Sequence, residues 1–343
     1  MLSRTNEALL RDLLREDLID IYLPKRAATM LGAVRGHIDG VHPDAIGQLL
    51  DRIVTARIDT VFIDGSNLGA AAAAIKAAVP SVRIVTFFHN VEARFFWGSL
   101  KAQRTLRACV VLLANFVAER QAVRASDVRI CLSERDSGLL ERLYGRRADV
   151  VMPIVLTDTL PTKASHGMEA GRRFALFVGG SFYANVDGIR WFARHIAPHT
   201  TLHTVVVGRG TEGLADEFAD NPAITFAGAV EDLGSWYRDA YVVIAPIFDG
   251  SGMKTKVAEA LMHGKHVIGT PESFSGYNPA VLASGWTCTS AAQFLTATTD
   301  ATAMNLPAYD PAMRTLYERF HSVDAGRARL ADALAIVAPA SCS

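Results

Sequence analysis

Apolar positions recur along this chain with two alternating periods, and the alternation predicts the architecture. Ile46, Leu49, Leu50 and Ile53 follow the i, i+3, i+4, i+7 spacing of a helix over 45–56. Short segments rich in apolar residues predict strands at 60–63, 82–88 and 128–132, and at 18–23 near the start. Helices are expected over 9–14, over the alanine-rich 68–78 (stopped before Pro80), over 102–123 as one long element, and over 134–144 behind the capping Ser133. Residues 153–173 break the pattern with Pro153, Pro161, Gly167 and Gly171 among polar residues, and read as a linker.

The alternation then restarts. Strands are expected at 174–178, 202–207, 224–226, 241–245 and 266–268, with helices at 186–195, 233–238 and 254–263. A terminal helical stretch covers 313–336, with a break near Val323. Strands alternating with helices imply parallel sheets covered by helices. The fold expected is α/β, with two Rossmann-like doubly wound domains facing a cleft. Their bounds are expected at 1–160 and 161–312, followed by a terminal helical segment, 313–343, that crosses back to the first domain.

Composition narrows the function. Lys+Arg and Asp+Glu balance at 35 each, so no global basic field invites nucleic acid. Cys109, Cys131, Cys288 and Cys342 are scattered without a Cys-x-x-Cys pair, which suits a reduced, cytoplasmic compartment and gives no metal motif. The charged start resembles no signal peptide, and the uncharged run 108–118 falls short of the roughly 20 residues a membrane-spanning helix needs. No His-Glu-x-x-His, Gly-x-Ser-x-Gly or Gly-Lys-Ser/Thr loop occurs, which disfavours zinc hydrolases, serine esterases and P-loop ATPases.

The candidate chemistry concentrates after the strand 241–245. Asp249-Gly250-Ser251-Gly252-Met253-Lys254-Thr255-Lys256 joins a glycine loop, a helix start and two lysines, a combination suited to a diphosphate. Read alone, Gly250-Ser251-Gly252 is also compatible with an ordinary tight turn. Glu259 shares a helix face with Lys256 and His263; it is placed either to accept the two hydroxyls of a ribose or to form an exposed pair with Lys256. Gly179-Gly180-Ser181 and Gly208-Arg209-Gly210 end two other strands, and Arg209 is either a phosphate ligand or an exposed charge. His89, with Asn90 and Glu92, follows the strand 82–88, where open α/β sheets place ligands; a plain loop histidine is the alternative.

Residues 174–270 resemble the donor-binding half of retaining, family-4 (group 1) glycosyltransferases with the GT-B fold. The specific segment is Gly-Ser-Gly-Met-Lys-Thr-Lys-Val-Ala-Glu-Ala-Leu-Met-His-Gly at 250–264. Phe-Val-Gly-Gly-Ser with Asn185 and Gly188, Val-Val-Gly-Arg-Gly at 206–210 and Phe-Ala-Gly-Ala-Val-Glu-Asp-Leu at 226–233 support it, and His89-Asn90-Val91-Glu92 resembles the strand-end histidine motif of the other half. The resemblance implies that Glu259 binds the nucleotide ribose and that the loop 250–252 binds the diphosphate and donor sugar. It further implies that Ala229 and Val230 contact the base and that His89 lies beside the reacting sugar, with Asn90 and Glu92 on the acceptor side. It implies a UDP- or GDP-sugar cosubstrate, no further cofactor or metal, and a carbohydrate or glycolipid acceptor. Polysaccharide or glycoconjugate assembly, with a peripheral place at the inner face of the membrane, is in keeping with it.

The chain departs from the family pattern in three places. Ser251 stands where relatives carry an acid, with Asp249 the nearest one. Gly180 and Asn185 stand in a region where relatives carry arginine and lysine, so Lys254, Lys256 or Arg209 must supply the positive charge. The first strand and glycine loop of the fold have no counterpart before the first helix, so the N-terminal domain is expected to lack its first strand. A sugar-nucleotide epimerase of the same architecture, or a non-catalytic nucleotide-binding protein, remains an alternative.

Overall fold

The computed structural model describes residues 2–23, 26–160, 174–250 and 252–335. The chain divides into two compact units, residues 1–153 with 326–343, and residues 154–325.

The first unit holds strands β1 (Thr60–Asp64), β2 (Arg83–Phe88), β3 (Val128–Cys131) and β4 (Val150–Val151) in one parallel sheet of order β1-β2-β3-β4. Its helices are α1 (Leu2–Leu14), α2 (Met30–Val34), α3 (Pro43–Thr55), α4 (Gly69–Ala78), α5 (Glu92–Gln103), α6 (Leu106–Ala125) and α7 (Glu134–Tyr144). Ile84, Val85, Phe87 and Phe88 of β2 are all buried, so the strand is covered on both faces, and its one interior polar residue, buried Thr86, is satisfied by the Ser126 hydroxyl at 2.6 Å.

The second unit holds β5 (Phe174–Val178), β6 (His203–Val207), β7 (Ile224–Gly228), β8 (Val242–Ala245), β9 (Val267–Gly269) and β10 (Trp286–Thr287). Its helices are α8 (Tyr183–His195), α9 (Leu233–Asp239), α10 (Thr255–Met262), α11 (Pro279–Ala283), α12 (Ala291–Ala303) and α13 (Pro311–Phe320). All neighbouring strands are parallel, in the order β10-β9-β8-β5-β6-β7. The chain moves outward from β5 through β6 to β7, then returns to β8 on the other side and moves outward again. The two directions part between β5 and β8, the position where open α/β sheets leave a crevice for ligands. Phe177, Phe192, Val206, Val242, Ile244 and Ile268 form the core beneath it. A last helix, α14 (Val323–Leu334), ends in the first unit, where Arg83 donates to the carbonyls of Leu334 at 2.8 Å and Ala333 at 3.0 Å.

Three sequence expectations need correction. Residues 18–23 form no strand; Ile19, Ile21 and Tyr22 are exposed, and the Tyr22 hydroxyl donates to Glu7 at 2.9 Å. An apolar alternation without a neighbouring strand has nothing to pair with. The long helix expected over 102–123 is two helices. The chain turns through a left-handed Arg104 (φ 50°), and Thr105 then caps α6 by accepting the Ala108 N–H at 3.2 Å. Part of the expected linker is ordered core. Ile154, Val155 and Leu156 are buried, and Leu156 N–H donates to His321 O at 2.9 Å. Residues 161–173 of that linker lie outside the described residues.

Candidate functional site

The switch point of the second sheet is lined by backbone from two strand ends. β5 runs into Gly179-Gly180, and β8 into Pro246 and the loop to Gly252. The buried hydroxyls of Ser273 and Thr270 donate to the carbonyls of Ala245 and Ile247, fixing where that loop leaves the sheet. Helix α8 packs directly on it: a Cβ added at Gly188 would lie 1.9 Å from Pro246 O. Only glycine allows this approach, because the obstacle is backbone. Gly188→Ala should therefore force α8 off the loop and cost about 2 kcal/mol of stability. Denaturant titration checks this, and a midpoint equal to that of the parent would refute the close approach.

Gly250 and Gly252 both have positive φ (138° and 65°), so the loop turns through conformations that other residues enter only with strain. Asp249 caps it internally, Oδ1 accepting Gly250 N–H at 2.7 Å. Ser251 lies outside the described residues. Met253 is buried, and Lys254 Nζ donates to Gly252 O and to Glu272 Oε1, both at 2.9 Å. The Lys254 charge is thus paired with a carboxylate from beyond β9. Arg209 is exposed, and its carbonyl accepts Ser181 N–H at 3.1 Å. Val230 is half-buried in the turn after β7.

Lys256 is different. It is buried, lies 4.2 Å over the Phe177 ring, and donates to a neutral acceptor, Asn185 Oδ1, at 2.8 Å. Asn185 in turn donates from Nδ2 to Gly180 O at 3.1 Å, so one amide ties α10 to the glycine turn after β5. Burial pulls the ammonium down to about 7; nearby Glu259 opposes that shift and Lys254 adds to it. Of the three cations considered from sequence, Lys256 therefore combines burial at the switch point with no carboxylate bonded to it.

Glu259 sits one turn further along α10, with its Oε2 accepting the Tyr237 hydroxyl at 2.8 Å and Oε1 accepting no bond from the described residues. Burial raises its carboxyl above the usual range, against the Tyr237 bond and the Lys256 charge. Lys256 and Glu259 form no ion pair, so the exposed-pair alternative does not hold. Tyr237 stacks on His263 with centroids 5.1 Å apart and planes 3° from parallel. Buried Lys265 fixes the end of α9 that carries Tyr237, donating to Arg238 O at 2.8 Å and Ala240 O at 2.7 Å. Tyr277 holds the start of α10, its hydroxyl accepting Ala258 N–H at 3.0 Å and donating to Lys254 O at 2.7 Å. Sequence reasoning missed Tyr237, Glu272 and Tyr277, because each reaches the helix from a distant element without local motif.

The first unit carries a separate polar cluster. β1 and β2 are adjacent, with Asp64 opposite Phe87, so Asp64 and His89 emerge side by side at the strand ends. His89 Nε2 lies 2.9 Å from Asp64 Oδ1. The two atoms are close without the alignment of a hydrogen bond. Asn6 of α1 donates to the same oxygen at 2.7 Å. Burial pushes the Asp64 carboxyl up, but His89 and Asn6 outweigh it and hold it below its ordinary value. Burial raises the Glu92 carboxyl, which bonds the Asn90 side chain. Asp64 and Asn6 were not foreseen from sequence, since their proximity to His89 depends on strand order. Among the described residues no group of three or more His, Cys, Asp or Glu is placed to hold a metal ion. No described helix is long and apolar enough to cross a membrane.

Two parallel sheets of this kind, one of them doubly wound about a switch point, define the class: a two-unit Rossmann-like α/β protein. Residues 172–305 match the family described as Glycosyl transferases group 1. No curated protein matches the chain significantly. Among solved structures, the chain is similar to Anabaena Alr3699/HepE in complex with UDP and glucose, at 12% identity and TM-score 0.64 over 96% of this chain and 89% of that one. It is equally similar to a glycosyltransferase from Rickettsia africae, at 12% identity and TM-score 0.64 over 96% and 88% of the two chains. The lipopolysaccharide outer core galactosyltransferase WaaB gives 13% identity and TM-score 0.56 over 84% and 78%. The fold is thus the GT-B type expected from the sequence.

Proposed function

We propose that this protein is a glycosyltransferase that moves a sugar from a UDP- or GDP-sugar to a hydroxyl acceptor. The observation that carries the reading is the switch point of the second unit. There a buried lysine with a neutral partner, a positive-φ glycine loop and a carboxylate with a free oxygen converge within the segment matching group 1 transferases. UDP is the first nucleotide to test, because the HepE structure holds it.

In this reading Glu259 accepts the ribose hydroxyls, and the amides of 250–252 with Lys256 meet the diphosphate. As the bond from the anomeric carbon to the diphosphate oxygen breaks, positive charge grows on the sugar ring and negative charge on the leaving group. Fixed donors stabilise the latter most where it develops. The acceptor hydroxyl oxygen then bonds the anomeric carbon, and its proton passes to the departing diphosphate. His89, from the first unit, orients the sugar or the acceptor hydroxyl without becoming a nucleophile. Retention of configuration, independence from metal, and an acceptor in polysaccharide or glycolipid assembly at the inner membrane face belong to the same proposal.

Incubation with a panel of nucleotide sugars, with and without carbohydrate acceptors, tests it. Acceptor-dependent release of the nucleotide is expected. Conversion of the nucleotide sugar without acceptor would favour an epimerase, and binding without turnover a non-catalytic protein; either result overturns the reading.

A pH prediction follows from Lys256. The diphosphate binds the charged ammonium, and the free protein loses that proton near pH 7. UDP affinity should therefore fall as pH rises from 7 to 9, at most about tenfold per unit. The slope should flatten in Lys256→Met, measured calorimetrically beside the parent so that the ionisation of UDP itself cancels. Parallel curves for the two proteins would remove Lys256 from the diphosphate.

A further inference from the structure

The turn that carries His89 has no cap of its own. α5 starts at Glu92, and its N-cap residue is Val91, whose side chain has no acceptor. The unpaired N–H groups are met instead from α6. Glu119 Oε1 accepts Glu92 N–H at 2.8 Å, and Oε2 accepts Ala93 N–H at 3.2 Å. The same carboxylate accepts the Tyr144 hydroxyl of α7 at 2.7 Å and the Ser66 hydroxyl at 3.2 Å. Ser66 lies two residues beyond Asp64, in the turn after β1. Glu119 is 0% exposed. A carboxylate so placed is costly unless fully bonded, and an apolar side chain would fill the space more cheaply.

We infer that Glu119 is the positioning residue of the His89–Glu92 turn, holding the strand-end loops of β1 and β2, on which Asp64 and His89 stand, through three hydrogen bonds, with a fourth from Tyr144 of α7. The inference rests on the transferase reading, in which His89 serves the reacting sugar. Glu119 touches neither donor nor acceptor; it acts through the backbone of α5 and through Ser66.

The two backbone N–H groups bonded to Glu119 can only donate, so a proton on the carboxyl can point only at the Tyr144 or Ser66 hydroxyl, which then gives up its own donation, and the charge that strengthens the remaining bonds is lost. Burial pushes this carboxyl up to about 7, against the Tyr144 and backbone bonds, and the Glu92 charge adds to the rise. The titratable groups facing it are Glu92 from α5, Tyr144 from α7 and Cys131 from β3. The turn should accordingly loosen as pH falls below 7.

The test combines amide hydrogen exchange over residues 90–96 with steady-state kinetics on Glu119→Gln and Tyr144→Phe. Glutamine keeps the volume but loses the charge. Exchange should rise about tenfold in E119Q, the effect of losing one hydrogen bond to a charged group. The kcat should fall about tenfold while KM for the nucleotide sugar stays within about twofold. The decline of wild-type kcat below pH 7 should disappear, and Y144F should shift the same quantities less. Unchanged exchange in E119Q overturns the inference, and so does faster exchange with wild-type kcat and pH profile. If no transfer is found in the parent, the transferase reading falls, and exchange alone still decides whether Glu119 holds the turn. If E119Q does not fold, wild-type exchange decides: corrected for its intrinsic rate, it must quicken from pH 8 to pH 6, and a flat profile overturns the inference.

Discussion

Replacing Glu259 by alanine is expected to weaken UDP binding roughly 100-fold or more, the largest effect of any single side chain in the second unit. The reasoning starts from what the carboxylate has left to offer. Oε2 already accepts the Tyr237 hydroxyl at 2.8 Å, which fixes the rotamer, while Oε1 accepts nothing from the described residues. A ribose diol would supply two donors to this charged acceptor. Hydrogen bonds to charged groups contribute about 1.5–3 kcal/mol each, and two of them amount to at least two decades of affinity. Tyr237→Phe is the control: it removes the rotamer lock but keeps the acceptor, so the loss should be much smaller. Calorimetry with UDP and GDP decides. Affinity within twofold of the parent in Glu259→Ala would mean that the carboxylate serves the fold alone.

The second large effect is kinetic. His89→Ala should lower turnover about 100-fold, the scale of a lost group at a reaction centre, without changing UDP affinity. The separation follows from the chain's division: the proposed UDP ligands lie in 154–325, and His89 lies in the other unit. Asp64→Asn should give a milder version, because the neutral amide keeps contact with the ring but withdraws the charge 2.9 Å from Nε2. Turnover in His89→Ala equal to the parent would exclude the histidine from the reaction. A loss of UDP affinity that matches the loss of turnover would instead mean that the substitution had disturbed the fold.

Much of the fold was legible because its signals are local. β8 reads Val-Val-Ile-Ala with all four residues at 0% exposure, and a strand buried on both faces leaves an uninterrupted apolar run in the sequence. The loop at 250–252 announced itself through glycines whose φ is positive in the structure. Residues 18–23 failed for a converse reason: their apolar pattern resembles a strand, but a strand exists only where another edge accepts it. The site was legible in part. The resemblance singled out Glu259 but left Lys254, Lys256 or Arg209 to supply the positive charge, and what separates the two lysines is Glu272, which engages Lys254 from 18 residues away in sequence.

By itself the sequence determined the alternation of strands and helices, the two-sheet class and the residue types grouped after β8, because periodicity and backbone strain are properties of neighbouring residues. The tertiary structure alone decided that β5 and β8 part at one crevice, that Asn185 meets Lys256, that Asp64 stands beside His89, and that Glu119 caps a helix beginning 27 residues earlier. Each of these is a contact between segments far apart in the chain. No local pattern encodes such contacts, since strand order and helix packing set them only when the whole unit folds.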